Sequence, residues 1–187
     1  MNLHDQIELY EPYNEQEQKD RDIILRVMTT LSDVLTRNNE ILHFTASALV
    51  FNPARTHVLM VYHNIYQSWS WAGGHADGEP DLLKVAQKEV MEETGVSKVH
   101  VITENMIALD ILTVIGHMKN GSYVSPHLHF NATYVFEVSD EESLHAKLDE
   151  NSAVGWIRID DLAEKCAEQH MVPVYEKIIE KVKKYEL

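Results

Sequence analysis

The chain has 187 residues, 44% apolar and 25% charged. This ordinary globular composition excludes a disordered or coiled-coil chain, and at one domain per ~150 residues it predicts a single domain with room for a short extension. Sixteen Lys and Arg against thirty Asp and Glu give a net charge of −14, so neither a nucleic acid nor a membrane surface is an expected partner.

No apolar run approaches the ~18 residues of a membrane span, and the polar, acidic start is unlike a secretory leader, so a cytoplasmic protein is expected. Residues 14–38 read as an amphipathic helix, with Ile23, Ile24, Val27, Leu31, Val34 and Leu35 recurring at i, i+3 and i+4. Residues 1–40 are thus expected to form a helical extension, packed on the domain of residues 41–187 or on the second subunit of a homodimer. Residues 43–51 and 57–63 read as a strand hairpin broken at Asn52-Pro53. Next comes SWSWAGGHADGEP, where three of seven glycines (Gly73, Gly74 and Gly78) fall within six positions. This predicts a loop that turns tightly or approaches a ligand closely.

Residues 81–94 predict a helix, with Pro80 tolerated in its first turn and Gly95 as its stop. Four β-prone stretches follow at 99–102, 107–115, 127–138 and 154–159, and a last helix at 174–185. The order predicts an α/β (α+β) fold, a mixed sheet sandwiched between helices. The single Cys166 can form no internal disulfide and reads as an inert thiol.

The chemistry concentrates on the central helix. Leu82, Leu83, Val85, Ala86 and Val90 share one side, opposite Lys84, Gln87, Lys88 and Met91. Glu89, Glu92 and Glu93 stand at i, i+3 and i+4 on the apolar side. Acidic residues on a helix usually form a solvated face, and the phase argues against that here. Like charges this close need protons or a bridging cation, and a hard divalent ion, Mg²⁺ or Mn²⁺, is the simplest one.

Preceded by Trp71-Ala72-Gly73-Gly74-His75-Ala76-Asp77-Gly78, the segment Glu89-Val90-Met91-Glu92-Glu93-Thr94-Gly95-Val96 resembles the motif of the Nudix hydrolases, G-x5-E-x7-R-E-U-x-E-E-x-G-U, where U is a bulky aliphatic residue. Gly74 opens it, and the closing E-U-x-E-E-x-G-U is reproduced without a gap. Two strands before the motif and a late acidic segment, Asp149-Glu150-Asn151-Ser152 followed by Trp156-Ile157, agree with the same family. Two positions depart from it. Pro80 stands where the family has its first glutamate, with Glu79 one residue early, and Lys88 stands in place of arginine. In the family those two positions commonly form an ion pair, and their joint change strands no charge. Lys88 can instead pair with Glu92, and Pro80 can stiffen the loop.

The resemblance implies hydrolysis of a nucleoside diphosphate linked to another group, with Mg²⁺ or Mn²⁺ held by Glu89, Glu92, Glu93 and the Gly73 carbonyl. A water deprotonated by a carboxylate would attack in line, with Glu89 the first choice of base and Glu150 the second. Gly74, His75, Tyr62, Trp71 and His129 are candidates for the substrate side. Tyr62, Tyr66, Trp69 and Trp71 flank the glycines and can stack on a base or fill the core beside the turn. His127 and His129 alternate along a strand and so point to one face. Metal binding through this H-x-H pair is one reading, but with no third ligand evident in the sequence the expected roles are lining the substrate cleft or forming polar cross-strand pairs.

Two other readings compete. A related isomerase of isopentenyl diphosphate would place a reactive cysteine near the motif, and Cys166 lies far from it. A non-catalytic nucleotide- or sugar-nucleotide-binding regulator would typically lose motif carboxylates, and all three are present. ADP-ribose-like compounds are the expected substrate class on family frequency.

Overall fold

The computed structural model describes residues 1–119 and 121–187. Helix α1 (Leu3–Leu9) is capped by the Asn2 side chain, which accepts from the Asp5 amide. Helix α2 (Glu15–Met28) is capped the same way by Asn14 on Glu17. It stops well short of residue 38, where the apolar periodicity ran on. The hydroxyls of Thr29 and Thr30 bond back to the carbonyls of Arg26 and Val27, closing the last turn. Val34 is buried all the same, from a loop whose carbonyl accepts from the Phe44 amide. In that stretch the periodicity reported burial and not helix.

The remaining elements are β1 (Leu42–Phe51), β2 (His57–His63), β3 (Ser68–Ser70), β4 (Ala72–His75), α3 (Leu82–Thr94), β5 (His100–Val101), β6 (Ala108–Val114), β7 (His117–Lys119), β8 (Ser122–Val124), β9 (His127–Glu137), β10 (Asn151–Arg158), α4 (Leu162–Lys165) and α5 (Val172–Lys184). The glycine-rich stretch is therefore mostly strand. The turn comes later, at Asp77 and Gly78, both with positive φ. The short β7–β8 hairpin, which carries no strong apolar alternation, did not stand out in the sequence.

The main sheet runs β10-β2-β1-β9-β5, with β3 on β2, β4 on β1 and β6 on β9. Among the described residues only β1 and β9 pair in parallel, from Leu42↔Leu128 to Phe51↔Glu137. β4 covers one edge of β1 from Thr45 to Ala48, and β2 continues that edge at Val50 and Phe51. β1 is buried along its whole length, so both of its faces are covered.

The two faces differ in kind. Phe44, Ala46, Ala48 and Val50 on β1 pack with Phe130, Ala132, Tyr134 and Phe136 on β9 against Val85, Ala86 and Val90 of α3. The opposite face is apolar only in its second half, where Leu49, Phe51 and Val135 meet Tyr175, Ile178 and Ile179 near or on α5. Its first half carries His43, Thr45 and Ser47 beside His129, Asn131 and Thr133. There Asn131 Oδ1 accepts from the hydroxyls of Thr45 and Ser47, and its amide donates to Thr133.

The N-terminal helices lock onto this frame through buried charge. Glu17, fully buried, accepts from Lys181 Nζ at 2.9 and 3.0 Å and from the Tyr10 hydroxyl at 2.6 Å. Lys177 lies 3.1 Å from Glu17 and also bonds Asp110 of β6. Asp20 of α2 accepts from the backbone amide of Ile111 on β6. The inward side of α2, Ile24 included, is thus used within its own chain. No helix among the described residues is long and apolar enough to cross a membrane.

Candidate active site

Helix α3 is set by its ends. Asp81 accepts from the Lys84 amide at the start, and Gly95, at φ 75°, provides the left-handed stop. Glu89 and Glu93 face inward from its second half, and Glu92 lies at the exposed border. Both inward carboxylates meet strand β4. A Cβ on Gly74 would fall 2.4 Å from the carboxyl carbon of Glu89, and a Cβ on Gly73 would fall 2.4 Å from Ser47 Oγ. The two glycines therefore let helix, strand β4 and strand β1 close on one another: a side chain at Gly73 would run into the backbone of β1, and one at Gly74 would force the Glu89 carboxyl aside.

The Gly73 amide donates to Glu93 Oε2 at 3.1 Å, and Asn151, the first residue of β10, donates to Glu93 Oε1 at 3.3 Å. The Asn151 Oδ1 atom is buried with no hydrogen-bond partner among the described residues. One residue earlier, Glu150 is held by Lys147 Nζ at 2.8 Å and approached by Lys119 of β7 at 3.9 Å. Lys88 stands 3.4 Å from Glu92 and 3.7 Å from Glu89. Glu79 pairs with Lys84 at 2.5 Å and accepts from the Asp81 amide.

The electrostatics follow from this packing. Burial pushes the Glu93 carboxyl up to about 7, despite the amide bonds from Gly73 and Asn151 that favour its charged form. Burial also raises Glu89, partly offset by Lys88 and reinforced by Glu92. Glu150 goes the other way, held below the usual carboxylate range by its bond from Lys147. Two inward carboxylates short of positive charge, an orphaned amide oxygen beside them and a backbone cradle form an all-oxygen donor set. Such a set suits a hard divalent cation. The residues present fit the group that the resemblance implies.

A family model, the NUDIX domain, matches residues 41–178. The chain belongs to the NUDIX family. The hydrolases of this family act on pyrophosphate bonds in nucleotide-type substrates and generally use divalent metals. Comparison with curated proteins finds no match. Among solved structures, a NUDIX-family hydrolase from Clostridium perfringens superposes with a TM-score of 0.53 at 18% identity, over 74% of this chain and 96% of that one. An Ap4A hydrolase from C. elegans gives 0.53 at 14% identity, over 76% and 97%. The E. coli dihydroneopterin triphosphate pyrophosphohydrolase gives 0.55 at 12% identity, over 73% and 94%. At these identities the likeness is one of fold.

The candidate substrate residues do not form one group. Trp71 stands edge-on to Tyr175 of α5, with ring centroids 5.1 Å apart. Trp69 packs edge-on to Tyr62, whose hydroxyl donates to the Gln67 carbonyl. Tyr66 lies over His63, 4.6 Å between centroids. His75 and His129 turn toward each other and toward His127 and His43. His43 was not singled out in the sequence, although a signal was there. It alternates with Thr45 and Ser47 just as His129 does with Asn131 and Thr133, and parallel pairing sets those two runs side by side. Cys166 is buried beside the Ser68 hydroxyl and its thiol is pushed up by burial, which fits an inert role.

Proposed function

We propose that this enzyme hydrolyses the pyrophosphate linkage of a nucleoside diphosphate joined to a second group, ADP-ribose-like or another nucleotide-type compound, with Mg²⁺ or Mn²⁺ bound by Glu89, Glu92, Glu93 and the Gly73 carbonyl. The observation that carries this reading is the seating of Glu89 and Glu93 on Gly74 and Gly73, with Asn151 Oδ1 left without a partner beside them. The structural neighbours named as an Ap4A hydrolase and a dihydroneopterin triphosphate pyrophosphohydrolase support a nucleotide-type phosphoanhydride as substrate.

The bound cation supplies charge neutralisation for the diphosphate, which a protein of net charge −14 otherwise repels. Glu89 takes a proton from the attacking water, and the absence of a side chain at Gly74 leaves room for its carboxyl against strand β4. The water oxygen bonds to one phosphorus, the bond from that phosphorus to the bridging oxygen breaks, and the bridging oxygen leaves on the other phosphate. Glu150, kept ionised, is the second candidate for the base, and its contacts to Lys147 and Lys119 hold two cations at the same border. The protein acts on a small molecule, with no nucleic acid or membrane partner.

The test is turnover of a panel of nucleoside diphosphate derivatives, with Mg²⁺, with Mn²⁺ and with chelator. Cation-dependent cleavage of one class, lost in Glu93→Gln, is expected. Cleavage indifferent to chelator would overturn the carboxylate assignment. Tight nucleotide binding without cleavage would favour the regulatory reading.

A further inference from the structure

Four histidines from three strands converge on the face of the sheet opposite α3. They are His43 on β1, His75 on β4, and His127 and His129 on β9. Each offers one ring nitrogen, and the four nitrogens lie within 4.8 Å of one another. The ring centroids of His43 lie 4.9–5.0 Å from each of the other three. We propose that these four residues form a second metal site, a nitrogen-donor centre for a borderline transition ion such as Zn²⁺ or Co²⁺, separate in ligand chemistry from the carboxylate site on α3.

Hydrogen bonding around the cluster presets it for a cation. His43 Nδ1 lies 2.9 Å from the Asn39 carbonyl oxygen and His127 Nδ1 lies 2.8 Å from that of Ser125. A carbonyl oxygen only accepts, so each Nδ1 carries its proton, and in the neutral ring Nε2 bears the lone pair. Donation from the far nitrogen to a backbone carbonyl is the arrangement that orients metal-binding imidazoles. His43 Nε2 is buried and has no hydrogen-bond partner among the described residues. His127 Nε2 faces His129 Nε2 at 3.1 Å. One proton can serve that last contact, but none is left for His43. A buried acceptor without a partner destabilises the fold, and a cation at the centre gives it one.

The ligand type selects the ion. Imidazoles suit zinc, cobalt, nickel and copper, whereas Mg²⁺ prefers the oxygens of Glu89, Glu92 and Glu93. Zn–N bonds of about 2.0–2.1 Å place tetrahedral nitrogens about 3.3 Å apart, so the rings need only draw in modestly. Among the described residues no carboxylate shares the cluster, and Asp77, whose charge acts on His43 and His75, is already paired with Arg37 at 2.6 Å.

The experiment uses the full chain, stripped by chelator and then given Zn²⁺ or Co²⁺ under excess Mg²⁺, so that the carboxylate site is filled by the harder ion. One tightly held equivalent of transition metal is expected, with the visible absorption of Co²⁺ in a nitrogen environment. It should persist in Glu92→Gln and Glu93→Gln and weaken at least about 10–100-fold in His127→Gln and His129→Gln. X-ray absorption on the zinc-loaded wild type counts imidazole ligands without any substitution, so a variant that misfolds does not leave the question open. Three or four imidazoles support the site. Fewer than three, no stoichiometric ion under Mg²⁺, or binding that follows the glutamate variants instead of the histidine ones would overturn it.

Discussion

Glu17 on α2 and Glu93 on α3 are both carboxylates buried on helices, 0% and 5% exposed, and their surroundings treat them in opposite ways. Around Glu17 the fold supplies its own counter-charges: Lys177 and Lys181 stand against Glu17 and Asp110, with the Tyr10 hydroxyl and the Tyr13 amide also donating. Burial alone would raise Glu17, and Lys177, Tyr10, Tyr13 and Lys181 together hold it below its ordinary range. Around Glu93 the fold supplies two amide donors and a second inward carboxylate, and burial wins. One cluster is balanced from within the chain, and the other is left incomplete. A charge balanced internally secures the fold, and one left unbalanced is available to a cation from outside.

The sharpest break of this contrast is Glu17→Gln, which leaves two buried lysines facing one carboxylate. Urea denaturation should show a loss of about 3–5 kcal/mol, whereas an apolar replacement of Glu17 and Lys181 together should cost far less. Next comes Glu93→Gln at the incomplete cluster, which should lower kcat at least about 100-fold while leaving the fold intact by circular dichroism. The same site fixes a pH dependence in chelator. The folded Glu93 carboxyl lies above its ordinary value of 4.5, at about 7. Its protonated form therefore stabilises the protein fully below about pH 4.5, and that contribution is lost as pH rises through 7. Metal-free protein should lose on the order of 3 kcal/mol across this range, and Glu93→Gln or saturating Mg²⁺ should flatten the slope in a thermal melt. Gly74→Ala should displace the Glu89 carboxyl, weakening Mn²⁺ binding in a titration by about 10-fold with a smaller effect on stability. Smallest is Arg37→Ala, which breaks an exposed pair with Asp77 and should change stability by less than about 1 kcal/mol.

The chemistry of α3 was legible because the phase of Glu89 and Glu93 against Val85, Ala86 and Val90 is local, fixed by 3.6 residues per turn. Strand β2 was readable for the same reason: alternation and turn residues act at short range. What escaped was set at long range. The end of α2 was misplaced because Val34 is buried by the β1 and β4 connections and not by a helical stripe. The glycines were read as loop because their requirement comes from Ser47 and Glu89, residues far away in sequence. His127 and His129 lacked a third ligand until parallel pairing brought His43 beside His129 and antiparallel pairing set His75 against Thr45. Single-sequence periodicity can show which way a strand residue points, but not what lies next to it.

The position of α2 along β6 bears on how this protein survives at high concentration. Among the described residues β6 has a sheet partner only on its β9 side, and an open strand edge invites pairing with another molecule. Asp20 occupies the Ile111 amide on that strand, and Gln16 and Lys177 close over Asp110 beside it. A chain trimmed to the family-matched residues 41–178 would thus lose its edge guard in one cut, together with Glu17 and Lys181, and leave Lys177 with Asp110 alone. Self-association and precipitation should appear in such a fragment before any defect in its chemistry.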